Sequence, residues 1–389
     1  MFGMTSVLEH DPVDAGEPGR PHDAGAFVPR ASSRRSSSRS DNQARLFGLD
    51  GTPSSRNERI QSARPMRTRA GVEYRPLPCK SLLNESKDHS LPFSWTINPY
   101  RGCEFACQYC YARATHSYLD HDPKDFERRI YVKQGAPEVL RRQLRPELLQ
   151  GRTIAIGTAT DPYQGAERHF RITHGILESL TRIPGLSLTI TTKSPLVVRD
   201  LDLLREIDRQ GRVRVNVSMT TLRPGLARIL EPRAPLPRRR IETIQRVSEA
   251  GISTAIFCMP ILPGITDRVE DLKSLLGAAR AAGACHAFGS ALHLETPIRP
   301  TFLPMLRRHF PQLYGHYQDL YRGGRYAPRK EAERIDRIFA AARDAVGFPS
   351  RTERSLEKVE SRKPVGPPDT APLRPTGKPP AVQTTLWAV

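Results

Sequence analysis

The stretch Arg101-Gly102-Cys103-Glu104-Phe105-Ala106-Cys107-Gln108-Tyr109-Cys110-Tyr111-Ala112 decides how the rest of the chain is read. Three cysteines fall within eight residues, separated by three and then two residues, with an aromatic directly before the last. Three thiolates on one loop can hold three corners of a cubane iron–sulfur cluster and leave the fourth iron open to another ligand. An open iron separates a cluster that does chemistry from one that only relays electrons. A structural zinc site is the alternative. Such sites usually take four protein ligands, often as two paired-cysteine knuckles, and no second knuckle exists here. His116 is a candidate fourth ligand, a helical turn or more beyond Cys110.

The other cysteines are Cys79, Cys258 and Cys285. The first ten residues turn acidic and hold no apolar run of the kind that heads a secretory signal. A clustered triple in a cytoplasmic chain points to metal or redox chemistry rather than disulfides. Cys258 and Cys285, in apolar strand surroundings, read as buried packing residues. No apolar run approaches the ~20 residues of a membrane span. The longest, Thr254 to Ile265, is broken by Pro260 and Pro263.

At 389 residues the chain can bury a full-size core, and its net charge is +19. Between Pro76 and Pro349 stand 41 basic and 28 acidic residues, so most of the excess sits in the folded part. Such a surface favours phosphate-bearing partners, DNA or RNA among them. Of the 60 basic residues 50 are Arg, however, which GC-rich coding also produces.

Residues 1–75 are rich in Ser, Arg, Asp, Gly and Pro, and the tail 350–389 is rich in Pro, so both read as disordered arms. The middle alternates. Short β-branched runs at Ser94–Asn98, Thr153–Thr160, Leu186–Thr192, Val213–Thr221, Thr254–Leu262 and His286–Glu295 are separated by helical patterns. Those patterns span Cys107–Leu119, Pro137–Leu149, His169–Thr181, Pro195–Gln210, Pro237–Ala250 and Asp267–Ala282. Six strand–helix units in succession imply a parallel α/β sheet with right-handed crossovers. No Gly-rich phosphate fingerprint follows the first strand, so a partial (β/α)6 barrel over 76–299 fits better than a doubly wound sheet. The cysteine loop 103–110 then lies at the carboxyl ends of the strands, where sites in such barrels form. Two further helices, Phe302–His309 and Lys330–Val346, flank a Tyr-rich piece in a C-terminal helical extension, 300–349.

A CxxxCxYC loop after the first strand of a six-unit α/β chain resembles the radical S-adenosylmethionine (SAM) enzymes. Asn98-Pro99-Tyr100-Arg101-Gly102-Cys103 through Cys110-Tyr111-Ala112-Arg113 more narrowly resembles their spore photoproduct lyase-like branch. Agreement continues in Gly157-Thr158-Ala159-Thr160-Asp161-Pro162-Tyr163-Gln164 and Val215-Asn216-Val217-Ser218-Met219-Thr220-Thr221, and covers about residues 90–340. The resemblance implies a [4Fe–4S] cluster on Cys103, Cys107 and Cys110 and a SAM molecule chelated to its open iron. It also implies a low-potential electron donor, flavodoxin or ferredoxin. Tyr109 is placed to pack over the cluster or the adenine, or simply in the core. Thr158, Thr160 and Asp161 stand where the family contacts the SAM ammonium; Asp161 alternatively reads as a helix N-cap. Lys193 ends the third strand, where a cation meets the SAM carboxylate, or is a solvated strand end. Ser218 stands where the family contacts the ribose or carboxylate, or is a core hydroxyl. Arg223, Arg228 and Arg233 read as solvated face.

One departure bears on the reaction. Spore photoproduct lyase returns a hydrogen atom to its substrate from a cysteine after the second strand, and Thr158 stands in that position here. A threonine O–H bond is too strong for that step, so lesion reversal by the same route is not implied. Two functions fit the residues: a radical SAM enzyme acting on nucleic acid, and a non-catalytic nucleic-acid-binding protein with a structural cluster or zinc. The arms add Gln43-Ala44-Arg45-Leu46-Phe47 and Gln383-Thr384-Thr385-Leu386-Trp387, similar to the short motif that docks repair proteins on the sliding clamp; the alternative is packing of the arms on the barrel.

Overall fold

Along each expected strand, β-branched and apolar side chains alternate with small or polar ones, which suits a sheet with one face under helices and one face open. The computed structural model describes residues 56–86, 91–149 and 151–349. Most of the two expected arms, with both Gln-x-x-Leu-aromatic motifs, lies outside the described residues. In chain order the strands are β1 (Arg67–Arg69), β2 (Val72–Pro76), β3 (Asn84–Glu85), β4 (Trp95–Ile97), β5 (Tyr100–Arg101), β6 (Arg129–Val132), β7 (Thr153–Ile156), β8 (Ser187–Thr192), β9 (Arg212–Ser218), β10 (Ser253–Ile261) and β11 (His286–Ala291).

The six expected strands are β4 and β7–β11. They pair in parallel in the order β11-β10-β9-β8-β7-β4, and β3 adds antiparallel to the β4 edge. The sheet has two edges, so it is a partial barrel, as expected. Ile154, Ile156, Leu188, Ile190, Val213, Val215, Val217, Ile256 and Cys258 face the helices and form one core with Leu177, Leu204, Ile244 and Leu276. Burying each such side chain contributes roughly 1.5–3 kcal/mol. The alternate positions form the concave face, and the register sets them in rows. Lys193 follows the Thr192↔Val217 pair, so it stands beside Ser218, and Ser218 pairs with Phe257, which pairs with Phe288. One step down, Thr191 pairs with Asn216, whose amide donates to the Thr189 hydroxyl (2.7 Å) and the Thr191 hydroxyl (3.1 Å).

Several expected helices are divided, each with a local cause. The run expected over 137–149 forms Ala136–Gln143 and Pro146–Leu149, parted at extended Leu144 because Pro146 cannot continue a helix but suits a first turn. The run expected over 169–181 forms Glu167–Phe170 and Ile172–Leu180, parted at Arg171 with φ 49°. The buried Glu167 carboxylate explains the break. It accepts the N–H groups of Thr173 (2.8 Å) and His174 (3.1 Å), capping the second helix as only a helix start can be capped.

A second sheet, β1-β2-β6-β5, is absent from the sequence reading. Its first strands, and the helix Arg56–Ser62 before them, correct the expected disordered arm 1–75 from residue 56 onward; Val72 and Tyr74 are 4 % and 2 % exposed. Two-residue β5 leads straight into the cysteine loop. In the C-terminal extension, Arg299–His309, Tyr314–Leu320 and Arg329–Val346 are helical. Phe302, Met305, Leu306, Tyr317 and Tyr321 form a second core with the cysteine loop.

Candidate active site

The cysteine loop is held by backbone geometry on one side and by a polar clasp on the other. Gly102 has φ +85°, and a Cβ there would stand 2.7 Å from the Arg129 carbonyl and 2.8 Å from that of Phe126, so only glycine fits. The Cys103 N–H donates to the same Phe126 carbonyl at 3.0 Å. From the loop after β7, Thr160 Oγ1 donates to the Gly102 carbonyl (2.6 Å), and Gln164 Nε2 donates to it as well (3.0 Å). Gln164 Oε1 accepts from the Glu104 N–H (2.9 Å), and Glu104 Oε1 from the Ala166 N–H (2.6 Å). Behind this clasp Tyr100 donates to Glu167 (2.5 Å), which also pairs with Arg199 (2.7 Å).

Within the loop Cys103 and Cys107 are each 8 % exposed and Cys110 is half-buried, all packed with Phe105 and Tyr109. Burial pushes all three thiols up, Cys107 to about 12, and charge on Cys110 raises Cys103 and Cys107 further. Three thiolates buried together in an apolar corner would need a cationic body to hold them ionised, a part that an iron–sulfur cluster would fill. Among the described residues, no group of three His, Cys, Asp or Glu side chains is set to hold a metal ion. The thiolates of a cubane bind separate iron atoms, not one shared ion. His116 does not join the cysteines. It is fully buried, bonded to the Arg129 carbonyl (3.1 Å) and packed against Phe126, Tyr131 and His121, which removes the candidate fourth ligand of the zinc alternative.

Lys193, Ser218 and Tyr109 converge beside Cys107. Lys193 Nζ donates to Ser218 Oγ at 2.9 Å and lies 5.9 Å from the Tyr109 ring centroid. It also lies 3.8 Å from Glu231, a residue that no motif in the chain marks. Glu231 is 1 % exposed and accepts from Tyr109 OH and from Arg240, which is equally buried. Arg240 also donates to the Ser218 carbonyl (3.0 Å). Burial opposes ionisation of Glu231, and Arg240 and Lys193 outweigh it, holding the carboxyl below its ordinary range. Burial likewise works against Lys193, and Cys107 and Glu231 hold it above the ordinary lysine value.

The remaining expected contacts are engaged within the chain. Asp161 Oδ1 accepts from Tyr163 N–H (2.9 Å) and the Thr192 hydroxyl (2.7 Å), and Oδ2 from Lys193 N–H (2.7 Å). It fastens the β7 loop to the end of β8 and thereby places Lys193. Thr160 fastens Gly102, and the Thr158 hydroxyl accepts from Asn98 Nδ2 (3.0 Å). Asn98, Gln164, Glu167, Glu231 and Arg240 escaped the sequence reading. Asn98 and Gln164 lie inside the quoted motif stretches, whereas nothing local marks Glu231. Arg223, Arg228 and Arg233 are exposed, as expected. Cys258 is buried under the helices, but Cys285 is exposed, because it precedes β11 instead of lying within it.

A family model described as the radical SAM superfamily matches residues 97–276. The chain is 38 % identical over 300 residues to uncharacterized protein Rv2578c of Mycobacterium tuberculosis, covering 75 % of this chain and 88 % of that protein. It is 28 % identical over 196 residues to an uncharacterized protein of Methanocaldococcus jannaschii, covering 50 % and 70 %. Among solved structures it resembles a spore photoproduct lyase mutant with bound AdoMet and dinucleoside spore photoproduct. The TM-score is 0.56 and the identity 14 %, over 79 % of this chain and 92 % of that one. The chain belongs to the radical SAM superfamily, with a spore photoproduct lyase-like fold, and is an enzyme of radical chemistry. Its cofactors are those of the family, a [4Fe–4S] cluster and SAM. No helix among the described residues is long and apolar enough to cross a membrane.

Proposed function

We propose that Cys103, Cys107 and Cys110 hold the cluster, that SAM lies over the Lys193–Ser218 pair, and that the substrate is a nucleic acid. The convergence of Lys193, Ser218 and Tyr109 beside Cys107 carries this reading. When bound, the cluster and SAM supply one-electron cleavage of the sulfonium C–S bond, giving methionine and a 5′-deoxyadenosyl radical for hydrogen abstraction. The chain's own groups do the holding. Lys193 Nζ offers a buried cation to a carboxylate, Ser218 Oγ a hydroxyl beside it, and the Tyr109 ring an apolar wall. Glu231 keeps Lys193 charged and fixes the Tyr109 hydroxyl, so neither needs to reorganise when a ligand arrives. Thr160 and Asp161 act by position, one through the cysteine loop and the other through β8.

Hydrogen return in this reading differs from a cysteine-based route. The Thr158 hydroxyl is engaged by Asn98, Cys258 faces the helix-covered core, and Cys285 precedes β11, at the end of the sheet opposite the cysteine loop. Nucleic acid as substrate rests on the basic balance of the folded part. Anaerobically reconstituted protein is expected to release 5′-deoxyadenosine with dithionite and SAM, and Cys107→Ala to abolish it. Protein that binds no iron and cleaves no SAM refutes the reading. Deuterium transfer from labelled oligonucleotides into 5′-deoxyadenosine tests the substrate class.

A further inference from the structure

The outer side of the cysteine loop has a use that substrate chemistry does not supply. Cys107 and Tyr109 turn into the protein, whereas Gln108 between them lines a surface groove of about 430 Å³ with Arg228, Arg308 and His309. A second groove, of about 610 Å³, shares Pro304 and Arg308 with the first and runs on to Arg299, Arg307 and Tyr314. Among the described residues, no acidic side chain lines either groove.

The cationic side chains here are held by neutral partners. The Arg307 guanidinium carbon lies 4.4 Å from the Tyr314 ring centroid, and Nη2 donates to the Tyr314 hydroxyl (2.7 Å). Arg228 donates to the Pro232 and Ala234 carbonyls at 3.0 and 3.1 Å. Arginines elsewhere on the surface, such as Arg238, Arg239 and Arg329, are paired with Glu242 or Glu333. A helix C-terminus attracts basic residues and accounts for Arg307, Arg308 and His309. It does not account for Arg228, which comes from the separate helix Pro224–Leu230.

We infer that this double groove is the docking surface for an acidic one-electron carrier protein, a low-potential flavoprotein or iron–sulfur protein. The inference rests on the radical SAM reading above. A substrate must reach the concave row at Lys193 and Ser218, from which the inward-turned Cys107 and Tyr109 separate the groove. A carrier needs only closeness to the cluster from outside, and Gln108 provides it, sitting between two ligand cysteines. The unneutralised arginines steer an acidic partner and set its orientation. In the docked pair the carrier would be oxidised by one electron, and a [4Fe–4S] cluster held by Cys103, Cys107 and Cys110 would be reduced by it; no atom or proton crosses the interface.

The test measures binding of the reconstituted full-length chain to oxidised flavodoxin and to a plant-type ferredoxin by biolayer interferometry, at about 50 and 200 mM salt. Arg228→Glu with Arg308→Glu should weaken carrier binding about tenfold or more at the lower salt, with Arg308→Glu alone giving part of that loss. Arg329→Glu should change nothing. Iron content and dithionite-driven SAM cleavage, which bypass the carrier, should stay as in the parent. Equal carrier affinity in parent and double variant overturns the inference, as does failure of both carriers to bind. So does preferential loss of binding to a single strand of roughly 20 nucleotides, which would make the groove a nucleic-acid surface. Absence of dithionite-driven cleavage in the parent overturns the radical reading instead.

Discussion

Glu231→Gln is the perturbation that the site geometry defines most sharply. The substitution keeps the shape of the side chain and removes one buried charge. Arg240, 1 % exposed, then retains only the Pro235 and Ser218 carbonyls as partners and has no counter-charge in contact. Removing one member of a buried ion pair typically costs about 3–5 kcal/mol, because the remaining charge is left desolvated. In a folded region of this size that corresponds to a fall in melting temperature on the order of 10 °C. Removing both charges should restore most of the loss, so Glu231→Leu with Arg240→Met is expected to melt well above Glu231→Gln alone. Thermal unfolding by circular dichroism, with iron content measured in parallel, reads both effects. A Glu231→Gln melting temperature within a degree or two of the parent would show that the Glu231–Arg240 pair is not the buried clamp described here.

Three further outcomes are expected. Thr160→Val with Gln164→Leu removes both donors from the Gly102 carbonyl, at about 1–3 kcal/mol for an unsatisfied buried group; iron retained after gel filtration should fall, with a drop in melting temperature of only about 2–10 °C. Gly102→Ala places a Cβ 2.7 Å from a backbone oxygen at a left-handed φ, and should abolish iron incorporation even where the protein can be purified. His116 has its pKa lowered to about 3 by burial, then by His121. A group depressed below its unfolded value of roughly 6.5 stabilises the fold above that pH and loses this contribution as pH falls toward 3. Urea titrations should therefore show a loss of about 1.4 kcal/mol per pH unit below roughly 6.5, reduced in His116→Gln.

Much of the fold was legible because period-2 alternation in a parallel sheet is a local signal. The β-branched runs named β4 and β7–β11, and the helical pattern expected from Pro237 starts at that residue. The small sheet was not legible. Its strands β5 and β6 are two and four residues long, and β2 pairs with β6 across more than fifty residues of chain, so no local pattern announces it. The division of the helix at Arg171 depends on Glu167, whose partners Tyr100 and Arg199 come from distant elements.

By itself the sequence determined the chemistry class, since three cysteines at this spacing followed by β/α units leave little else for the thiolates to do. Through the family resemblance it also pointed to Lys193 and Ser218, which the structure sets side by side on the concave face. Only the tertiary structure decided which polar groups bond one another within the chain. Thr160 bonds the Gly102 carbonyl and Asp161 fastens the loop after β7 to the end of β8, partners that no local pattern announces. Glu231, silent in the sequence, becomes the charge on which Lys193, Tyr109 and Arg240 meet. A side chain's type fixes what it can bond, but its partners are set by distance in space, and burial leaves each of these groups few alternatives.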